Sequence, residues 1–414
     1  MVILNLQNKI AMNKSKNFVG QPIFSQLIKL IDRREISKIV LESQSDRYYK
    51  KFTTWTHLVS MLYGVLSNCH ALRELTTGML ACEGKLNHLG LNYSPKRSTI
   101  SDGNKKRSSE VFRAIYEMLY KRYRPVLSDS RISNKLLSKV YLADSTTITL
   151  FKEILKGCGR NRLDGKSKGG IKAHTLIRAD SMVAQFVHFT AAAKHDSCLL
   201  DQLDLQAGDY ICFDKAYINY ARFYQYCQQQ IYFVTRMKDN AVYQSVQELD
   251  IPDHADSAVL KDEIVRISTV NDRLEPVEVE LRRIAYWDDK NNKVLIFQSN
   301  QLDLDPELIA MIYKRRWHIE KLFKKLKQNF PLKYFLGDNQ NAIEIQIWTA
   351  LIAMLLLNVT HKAIKRPWAF SNMVSLVRFH LMNYIDIIKF LNNPEKCWSE
   401  KQNPTFQIDL FNSA

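Results

Sequence analysis

The sequence predicts an α/β protein whose sheet-containing part follows an all-helical part, and three observations lead to this prediction. Apolar residues recur at three- and four-residue spacing over residues 24–125, which is typical of amphipathic helices. From about residue 138 the pattern changes to short strand-like runs separated by turns. The 414 residues, of which 46% are hydrophobic, are enough for roughly two or three domains. The composition therefore excludes a disordered chain, a coiled-coil rod and a disulfide-stapled miniprotein.

The first predicted domain is an all-α DNA-binding domain over residues 12–130. Within it, the apolar spacing predicts helices over residues 24–40, 55–80 and 99–120. The last helix follows a basic turn and carries three adjacent candidate DNA contacts, Lys105, Lys106 and Arg107. Two interpretations stay open here: a helix-turn-helix reader of DNA, or a basic helical domain without that motif.

The remaining chain is predicted to alternate strands with helices. Strands are predicted over runs that are rich in β-branched residues, namely residues 140–143, 171–178, 182–190, 209–213, 230–237, 258–270, 277–286 and 293–298. Helices are predicted over residues 217–229, 306–330 and 341–365. We divide this part into a first section of an α/β core (135–240), a β-rich insertion (241–300), a second, helical section of the core (301–390) and a C-terminal tail (391–414).

The net charge of +17 favours a nucleic-acid partner, although membrane-surface proteins share such a balance. The charge is divided unevenly along the chain. Residues 1–140 carry +14 and residues 311–370 carry +8, whereas residues 241–310 carry −8. Two basic blocks that flank an acidic one are explained by one polyanion that contacts two separate regions.

Cysteine usage and the apolar segments predict a cytoplasmic protein. The seven cysteines are odd in number and include no Cys-x-x-Cys pair, so we expect reduced thiols and no zinc site. Residues 1–11 are apolar but too short for a signal peptide, and we interpret them as an N-terminal extension. The apolar run 345–359 is interrupted by polar residues and predicts a buried helix rather than a membrane span.

Three acidic residues are candidates for metal-dependent chemistry. Asp144 and Asp214 each end a buried-type strand, a position well placed for chemistry in an α/β sheet. Glu320 is the only acid among seven basic residues of the 313–327 segment. Carboxylate oxygens are the ligands that Mg²⁺ prefers, and two such ions can act on the attacking and leaving oxygens of a phosphodiester. Taken alone, Asp144 or Asp214 is more commonly a cap or a turn residue.

The segment around Glu320 gives the strongest indication of a catalytic site. On a helical wheel, Tyr313, Arg316, Glu320 and Lys327 fall within about 60° of arc. This face combines a metal-type carboxylate with an arginine, a lysine and a phenol that suit phosphates. The alternative is a solvated basic helix with one salt-bridging glutamate.

The spacing of these residues resembles a sequence motif of a known family. Tyr313, Arg316, Glu320 and Lys327 match the Tyr-(x2)-Arg-(x3)-Glu-(x6)-Lys motif of bacterial insertion-sequence transposases, in the large branch usually numbered four. The runs 141–147, which contains Asp144, and 214–217, from Asp214 to Tyr217, are also similar to that family. The order and spacing of the three acids, with a β insertion before the last one, fit as well.

The resemblance implies an RNase H-like catalytic core with a β-rich insertion, preceded by the helical domain. It implies that Asp144, Asp214 and Glu320 hold two Mg²⁺ or Mn²⁺ ions and catalyse cut-and-paste transposition. It implies transposon-end DNA and target DNA as partners, a homodimer in the paired-end complex, and a bacterial, nucleoid-associated location without a membrane. In relatives that form a DNA hairpin, a Trp of the insertion stacks on a flipped base.

Several further positions follow from the same resemblance. Tyr313, Arg316 and Lys327 are implied as contacts to the DNA backbone, together with Tyr217, and Trp287 is the candidate stacking residue. Lys172, His174 and the pair His195–Asp196 resemble polar positions of the family core, although His174 is equally typical of a hydrogen-bonded strand histidine. Trp287 is more typical of a core or edge aromatic than of a stacking residue.

Two alternatives to a transposase remain open at this stage. One is a nuclease on the same core that cuts but does not join DNA strands. The other is a non-catalytic DNA-binding protein derived from a transposase, which the loss of an acidic ligand would favour; all three acids are present.

Overall fold

The computed structural model of the chain describes residues 20–128, 136–149, 159–160, 168–181, 183–191, 196–251, 257–271 and 273–395. The chain forms two compact units. We call the first the helical unit, and it comprises Met1–Val126, Lys327–Gly337 and Asn341–Ala414. We call the second the sheet unit, and it comprises Leu127–Leu326 and Asp338–Gln340. The predicted N-terminal extension and most of the predicted C-terminal tail lie outside the described residues.

The described residues of the sheet unit form ten strands. They are β1 Val140–Thr149, β2 Gly159–Arg160, β3 Lys168–Arg178, β4 Ala184–Ala191, β5 Tyr210–Cys212, β6 Tyr232–Arg236, β7 Gln244–Glu248, β8 Val259–Val270, β9 Pro276–Asp288 and β10 Lys293–Ser299. The sequence analysis predicted eight of these strands to within a few residues at most ends. It missed β2, which has two residues, and β7, whose five residues are all exposed and carry no alternating pattern.

The strands form one mixed sheet in the order β2-β3-β1-β5-β6-β10-β9-β8-β7, with β4 paired to β3. Strand β3 is antiparallel to both of its neighbours β1 and β4. Strands β1, β5 and β6 are parallel. The predicted β-rich insertion therefore continues the same sheet, because β10 pairs with β6 and extends the ladder through β9 and β8.

Aromatic side chains form the core on one face of this sheet. The helix Tyr220–Gln228 places Phe223 against Phe233 of β6, with ring centroids 3.9 Å apart, and Phe213 lies beside both. Val265 and Leu281 of the insertion belong to the same buried cluster. The insertion strands thus share a hydrophobic core with the parallel strands, which accounts for their continuity in one sheet.

The segment predicted as one helix over residues 306–330 forms two helices, Pro306–Arg315 and Trp317–Asn329. The chain tightens at Arg316, whose backbone N–H donates to Tyr313 O at 3.0 Å and whose carbonyl accepts from Ile319 N at 3.0 Å. These bonds join residues three apart, as in a 3₁₀ turn. A helical wheel that assumes one continuous helix therefore misplaces Tyr313 relative to Glu320.

The helical unit contains nine α-helices in its described residues, together with the 3₁₀ helix Glu83–Leu89. The α-helices are Ile23–Ile28, Arg33–Ser43, Thr54–Leu66, Leu72–Ala81, Arg97–Lys106, Ser109–Leu127, Gln340–Ala363, Phe370–Phe379 and Ile387–Asn392. Each long helix predicted before residue 125 is divided in two. One break follows Leu66, where Asn68 adopts a left-handed backbone with φ 58°. Helix formation by periodicity was correct, but the apolar pattern does not reveal such interruptions.

The helix Gln340–Ala363 belongs to the helical unit, which differs from the predicted assignment of residues 301–390 to the core. Asn341 accepts from Ser109 N and donates to Asn104 O, and Trp348 packs on Tyr116 with ring centroids 5.6 Å apart. This is the one helix of the described chain that is long and apolar enough to cross a membrane. Because 89% of its apolar stretch is buried within the protein, it is the core helix that the sequence predicted.

Candidate active site

The parallel strands bring two of the predicted acids to one level. Leu142 of β1 pairs with Cys212 of β5, so the same register continued by two residues sets Asp144 opposite Asp214. Asp144 Oδ1 accepts from Ser145 N at 2.8 Å, and Asp214 Oδ1 accepts from Ala216 N at 3.2 Å. Each carboxylate is therefore oriented by a backbone donor that immediately follows it, and its second oxygen is directed elsewhere.

Arg236 lies level with Asp144 and Asp214 on the next parallel strand, and it was not among the residues predicted from the sequence. Cys212 of β5 pairs with Val234 of β6, and Arg236 follows at the end of β6, level with Asp214. Arg236 Nη2 lies 3.4 Å from Asp214 Oδ2. The signal was present in the sequence, because a charged residue ending a buried strand is as informative when it is basic as when it is acidic.

Arg316 brings the third acid together with the other two. Its Nη1 donates to Asp144 Oδ2 at 3.1 Å and its Nη2 donates to Glu320 Oε1 at 2.7 Å. The same Nη2 lies 3.9 Å from Asp214 Oδ2. One guanidinium thus contacts all three predicted carboxylates, although they span 176 positions of the sequence. The turn at Arg316 allows this, because it directs the side chain toward Asp144 and Asp214 while Glu320 follows one helical turn later.

Burial gives these groups an unusual electrostatic environment. The Arg316 side chain is only 9% exposed, and the side chain of Asp144 is 17% exposed. Burial raises the pKa of Asp144 to about 6, and Arg316 and the Ser145 N–H oppose that rise without cancelling it. A carboxyl group that titrates near neutrality beside a strongly basic group is typical of functional sites, and Asp144 lies in the middle of β1 rather than at the strand end that the sequence predicted.

Tyr313 is placed differently from its predicted role as a phosphate contact. Its ring packs on Phe297 with centroids 5.0 Å apart, and Arg236 and Arg316 lie 5.8 and 5.6 Å from the ring centre. Burial raises the pKa of the phenol to about 12. Its hydroxyl and Arg316 Nε are buried and have no hydrogen-bond partner among the described residues. Tyr313 therefore supports the arginines by ring contact in this structure.

Two predicted polar positions lie away from the carboxylates. Tyr217 is 1% exposed and belongs to the aromatic core beside Phe213, and its contact with DNA stays a prediction. The turn that Asp214 caps folds this ring inward. His174 is buried and bonds Thr190 at 2.8 Å, as expected of a strand histidine, and it pairs with Ser145, which points to the opposite face from Asp144.

The remaining candidates lie in different parts of the chain. Lys327 is an exposed residue of the helix that carries Glu320, and it falls within the helical unit. Trp287 lies near the end of β9, half-buried, with its indole N–H donating to Asp289 at 2.8 Å. Lys172 shares the strand face of His174 rather than that of Asp144. His195 lies outside the described residues, as does the side chain of Asp196.

In the helical unit, the three adjacent basic candidates have different environments. Lys105 and Lys106 are exposed at the end of the helix Arg97–Lys106. Lys106 lines a surface cavity of about 770 Å³ together with Arg47 and the exposed Tyr48. The Arg107 side chain is fully buried and bonded to Asp46, His57 and two backbone carbonyls, and its contact with DNA stays a prediction.

The three carboxylates fit a divalent cation by their chemistry. They are hard oxygen donors that already converge on one positive group, and Arg316 occupies the space between them. No set of three His, Cys, Asp or Glu side chains in the described part of the chain is itself arranged around a metal position. The donor set is thus suitable, and a guanidinium lies where a cation would be held.

Comparison with known proteins identifies the family. A family model described as "Transposase DDE domain" matches residues 136–356, more than half of the chain. The chain belongs to the transposase DDE domain family. A second model, described as a domain of unknown function (DUF4372), matches residues 19–92. The resemblance noted in the sequence is therefore confirmed, and the chain is an enzyme of the transposase type that acts on DNA. Family membership also implies a divalent metal ion, without fixing the number of ions.

Individual relatives agree with this assignment. The chain is 28% identical over 268 residues to the transposase y4zB of Sinorhizobium fredii, covering 64% of this chain and 72% of that protein. It is 25% identical over 286 residues to the transposase of element IS5377 from Geobacillus stearothermophilus, covering 68% and 72%. A solved piggyBac transposase synaptic complex with hairpin DNA aligns over 95% of this chain and 84% of that one, at 10% identity and a TM-score of 0.37, which is too low to establish a shared fold.

Proposed function

We propose that this transposase cuts DNA at the ends of an insertion sequence and joins the freed ends to target DNA, with Asp144, Asp214 and Glu320 as its catalytic carboxylates. The observation that carries the proposal is the contact of all three with the single guanidinium of Arg316. Three acids that are far apart in sequence are thus brought together by the fold, as a shared catalytic role requires. A merely solvated basic helix, the alternative drawn from the sequence, would leave Glu320 facing water.

The sheet supports an RNase H-like catalytic core. Its strands β4, β3 and β1 are antiparallel, and β5 and β6 continue from β1 in parallel. The acids lie on the first strand of this set and directly after β5, and the β-rich insertion precedes the helix that carries Glu320. The proposed architecture is thus this core with an insertion that extends its sheet.

The chemistry follows from the groups at the site. Asp144, Asp214 and Glu320 would hold Mg²⁺ or Mn²⁺, proposed as two ions, which activate the attacking oxygen and stabilise the leaving oxygen of the phosphodiester. Arg316 and Lys327 are proposed to bind phosphates of the bent DNA, since a guanidinium fork and an ammonium suit phosphate oxygens.

Cleavage is proposed to be cut-and-paste through a hairpin on the transposon end. After the first cut, the freed 3′-hydroxyl attacks the phosphodiester of the opposite strand and the flanking DNA leaves as a 3′-hydroxyl, which closes the hairpin. Water then hydrolyses the hairpin and restores the 3′-hydroxyl that joins to target DNA. The closing step requires a sharply bent end and a base turned out of the stack. The half-buried Trp287 is the proposed stacking face, and an aromatic face contributes about 1–3 kcal/mol to binding a base. A denaturing gel should then show a covalently closed product; open double-strand ends alone, with Trp287→Ala as well, would contradict this route.

The partners and location are proposed on the same basis. The described basic surface includes Lys105 and Lys106 in the helical unit, and the DNA bound there is proposed to be the transposon end. Two ends must be paired for joining, so a homodimer is proposed. A protein that acts on chromosomal DNA would associate with the bacterial nucleoid in the cytoplasm.

The decisive experiment incubates the purified full chain with duplexes carrying the terminal repeats of its own element, Mg²⁺ and a target plasmid. We expect cuts at the repeat ends and joined products. Glu320→Gln should abolish both while DNA binding remains, whereas the matched variant Glu280→Gln, an exposed acid of the insertion, should act as the unaltered protein does. Cutting without joining would indicate a nuclease, and binding without cutting a non-catalytic protein.

A further inference from the structure

We propose that Arg316 holds the place of the metal between the three carboxylates and moves to the DNA backbone when metal and DNA bind, so that the two ligands favour each other. This inference rests on the proposed function of the three carboxylates. Arg316 is thereby a positioning residue that exchanges partners, rather than a static phosphate contact. The structure shows the first of its two arrangements.

Arg316 and a metal ion at this site would need the same carboxylate oxygen atoms. The guanidinium contacts Asp144 Oδ2 at 3.1 Å and Glu320 Oε1 at 2.7 Å, and it lies 3.9 Å from Asp214 Oδ2. An Mg²⁺ ion binds carboxylate oxygens at about 2.0–2.1 Å with near-octahedral geometry. A guanidinium in hydrogen-bond contact with those oxygens fills the space, and its charge opposes a second cation there.

The present arrangement suits a protein without metal. Three carboxylates gathered in a partly buried site repel one another unless a cation lies among them. Arg316 supplies that cation from within the chain and keeps the site assembled. Arg236 contacts Asp214 alone, at 3.4 Å, so it cannot replace Arg316 in joining all three.

Arg316 has a donor left over. Its Nε is buried and has no hydrogen-bond partner among the described residues, so the guanidinium is incompletely satisfied where it lies. Its Nη atoms cannot bond carboxylates and a phosphate with the same hydrogens at the same time. A phosphate that takes the guanidinium frees the carboxylate oxygens for metal, and metal on those oxygens frees the guanidinium for a phosphate. Such coupling is reciprocal.

The test measures Mn²⁺ affinity of the full chain by calorimetry or by the electron-spin signal of free Mn²⁺. Each measurement is made with and without a pre-cleaved duplex of the element's terminal repeat, in which no bond remains to be cut. Without DNA, Arg316→Gln should bind Mn²⁺ at least about tenfold more tightly than the unaltered chain, since a competing charge is gone. With DNA, the two affinities should agree to within about twofold, because Arg316 has then left the acids.

Three further variants make the outcome decisive. Arg236→Gln, the matched cation with one carboxylate contact, should change the affinity less than Arg316→Gln and equally with or without DNA. Arg316→Lys, which keeps the charge and protects folding, should lie between the extremes. Asp144→Asn should weaken Mn²⁺ binding in every background.

The results separate the inference from the function on which it rests. An affinity gap that is unchanged by DNA would show that Arg316 stays in place and acts by repulsion alone, and no gap at all would equally overturn the exchange. Mn²⁺ binding that ignores Asp144→Asn would instead contradict the metal site itself, and with it both proposals.

Discussion

Adjacent lysine and arginine residues offer a sharp test of which cations of the helical unit serve DNA binding. Lys106 is exposed at the end of the helix Arg97–Lys106, and Arg107 follows it with its side chain fully buried. The two residues are alike in charge and next to each other in sequence. We expect Lys106→Ala to weaken DNA binding without loss of stability, and Arg107→Ala to lower the stability of the chain strongly.

The magnitude for Arg107 follows from its partners. Its guanidinium donates to Phe52 O at 2.8 Å, to His57 Nδ1 at 2.9 Å, and to Ser45 O and Asp46 Oδ1, both at 3.3 Å. Removing one member of a buried, hydrogen-bonded charge pair costs about 3–5 kcal/mol because its partners stay buried and unpaired. Against a total stability of about 5–15 kcal/mol, such a loss is a large fraction.

The effect of Lys106→Ala on DNA binding is expected to be electrostatic. An exposed lysine contributes within about 0.5 kcal/mol to stability. If it contacts a phosphate, its removal lowers the slope of log affinity against log salt concentration by about 0.9. Lys105→Ala should behave in the same way. Arg107→Lys keeps the charge but not the fork of donors, so it should restore only part of the stability.

The assay combines urea unfolding with DNA binding of the full chain at 50–200 mM salt, followed by the anisotropy of a labelled duplex. Matched stability for Lys106→Ala and a large loss for Arg107→Ala are the expected pair of results. The reasoning would be refuted if Arg107→Ala were as stable as the unaltered chain and lowered the salt slope, since Arg107 would then be a DNA contact.

Three other predictions concern single groups. Because burial raises the pKa of Asp144 to about 6, cleavage at limiting Mg²⁺ should fall about tenfold per pH unit below that value; a profile that is flat from pH 7 to 5 would contradict it. Burial and Arg107 lower the pKa of His57 from 6.5 to about 3, so the unfolded chain takes up the proton first. Stability is therefore complete above about pH 6.5 and is lost as the pH falls, by about 2 kcal/mol at pH 5, and unfolding curves of His57→Gln should lack this loss. Gln346 bonds Pro331 O, Tyr334 O and Leu336 N, so Gln346→Leu should cost about 3 kcal/mol, and an unchanged unfolding midpoint would show that water replaces these bonds.

Much of the fold and part of the candidate site follow from local pattern. Alternating β-branched runs predicted eight strands. The prediction that Asp144 ends its strand is wrong, because β1 continues to Thr149, but Asp144 still stands level with Asp214 because β1 and β5 are parallel and Leu142 pairs with Cys212. The spacing of Tyr313, Arg316, Glu320 and Lys327 indicated the family, which the family model confirms. These features depend on residues close together in sequence or on a rule that all parallel sheets obey.

Other features depend on contacts between distant residues, and only the tertiary structure decides them. Apolar periodicity marks the helix Gln340–Ala363 as buried, but it does not say that the helix packs on Tyr116 in the helical unit. Three adjacent basic residues look alike in sequence, yet the helix end turns only Arg107 inward to its buried acceptors. The sequence by itself determined which residues carry charge, whereas the three-dimensional packing determined that Arg316 bonds the acids rather than solvent, because hydrogen-bond partners are set by distance in space and not by spacing along the chain.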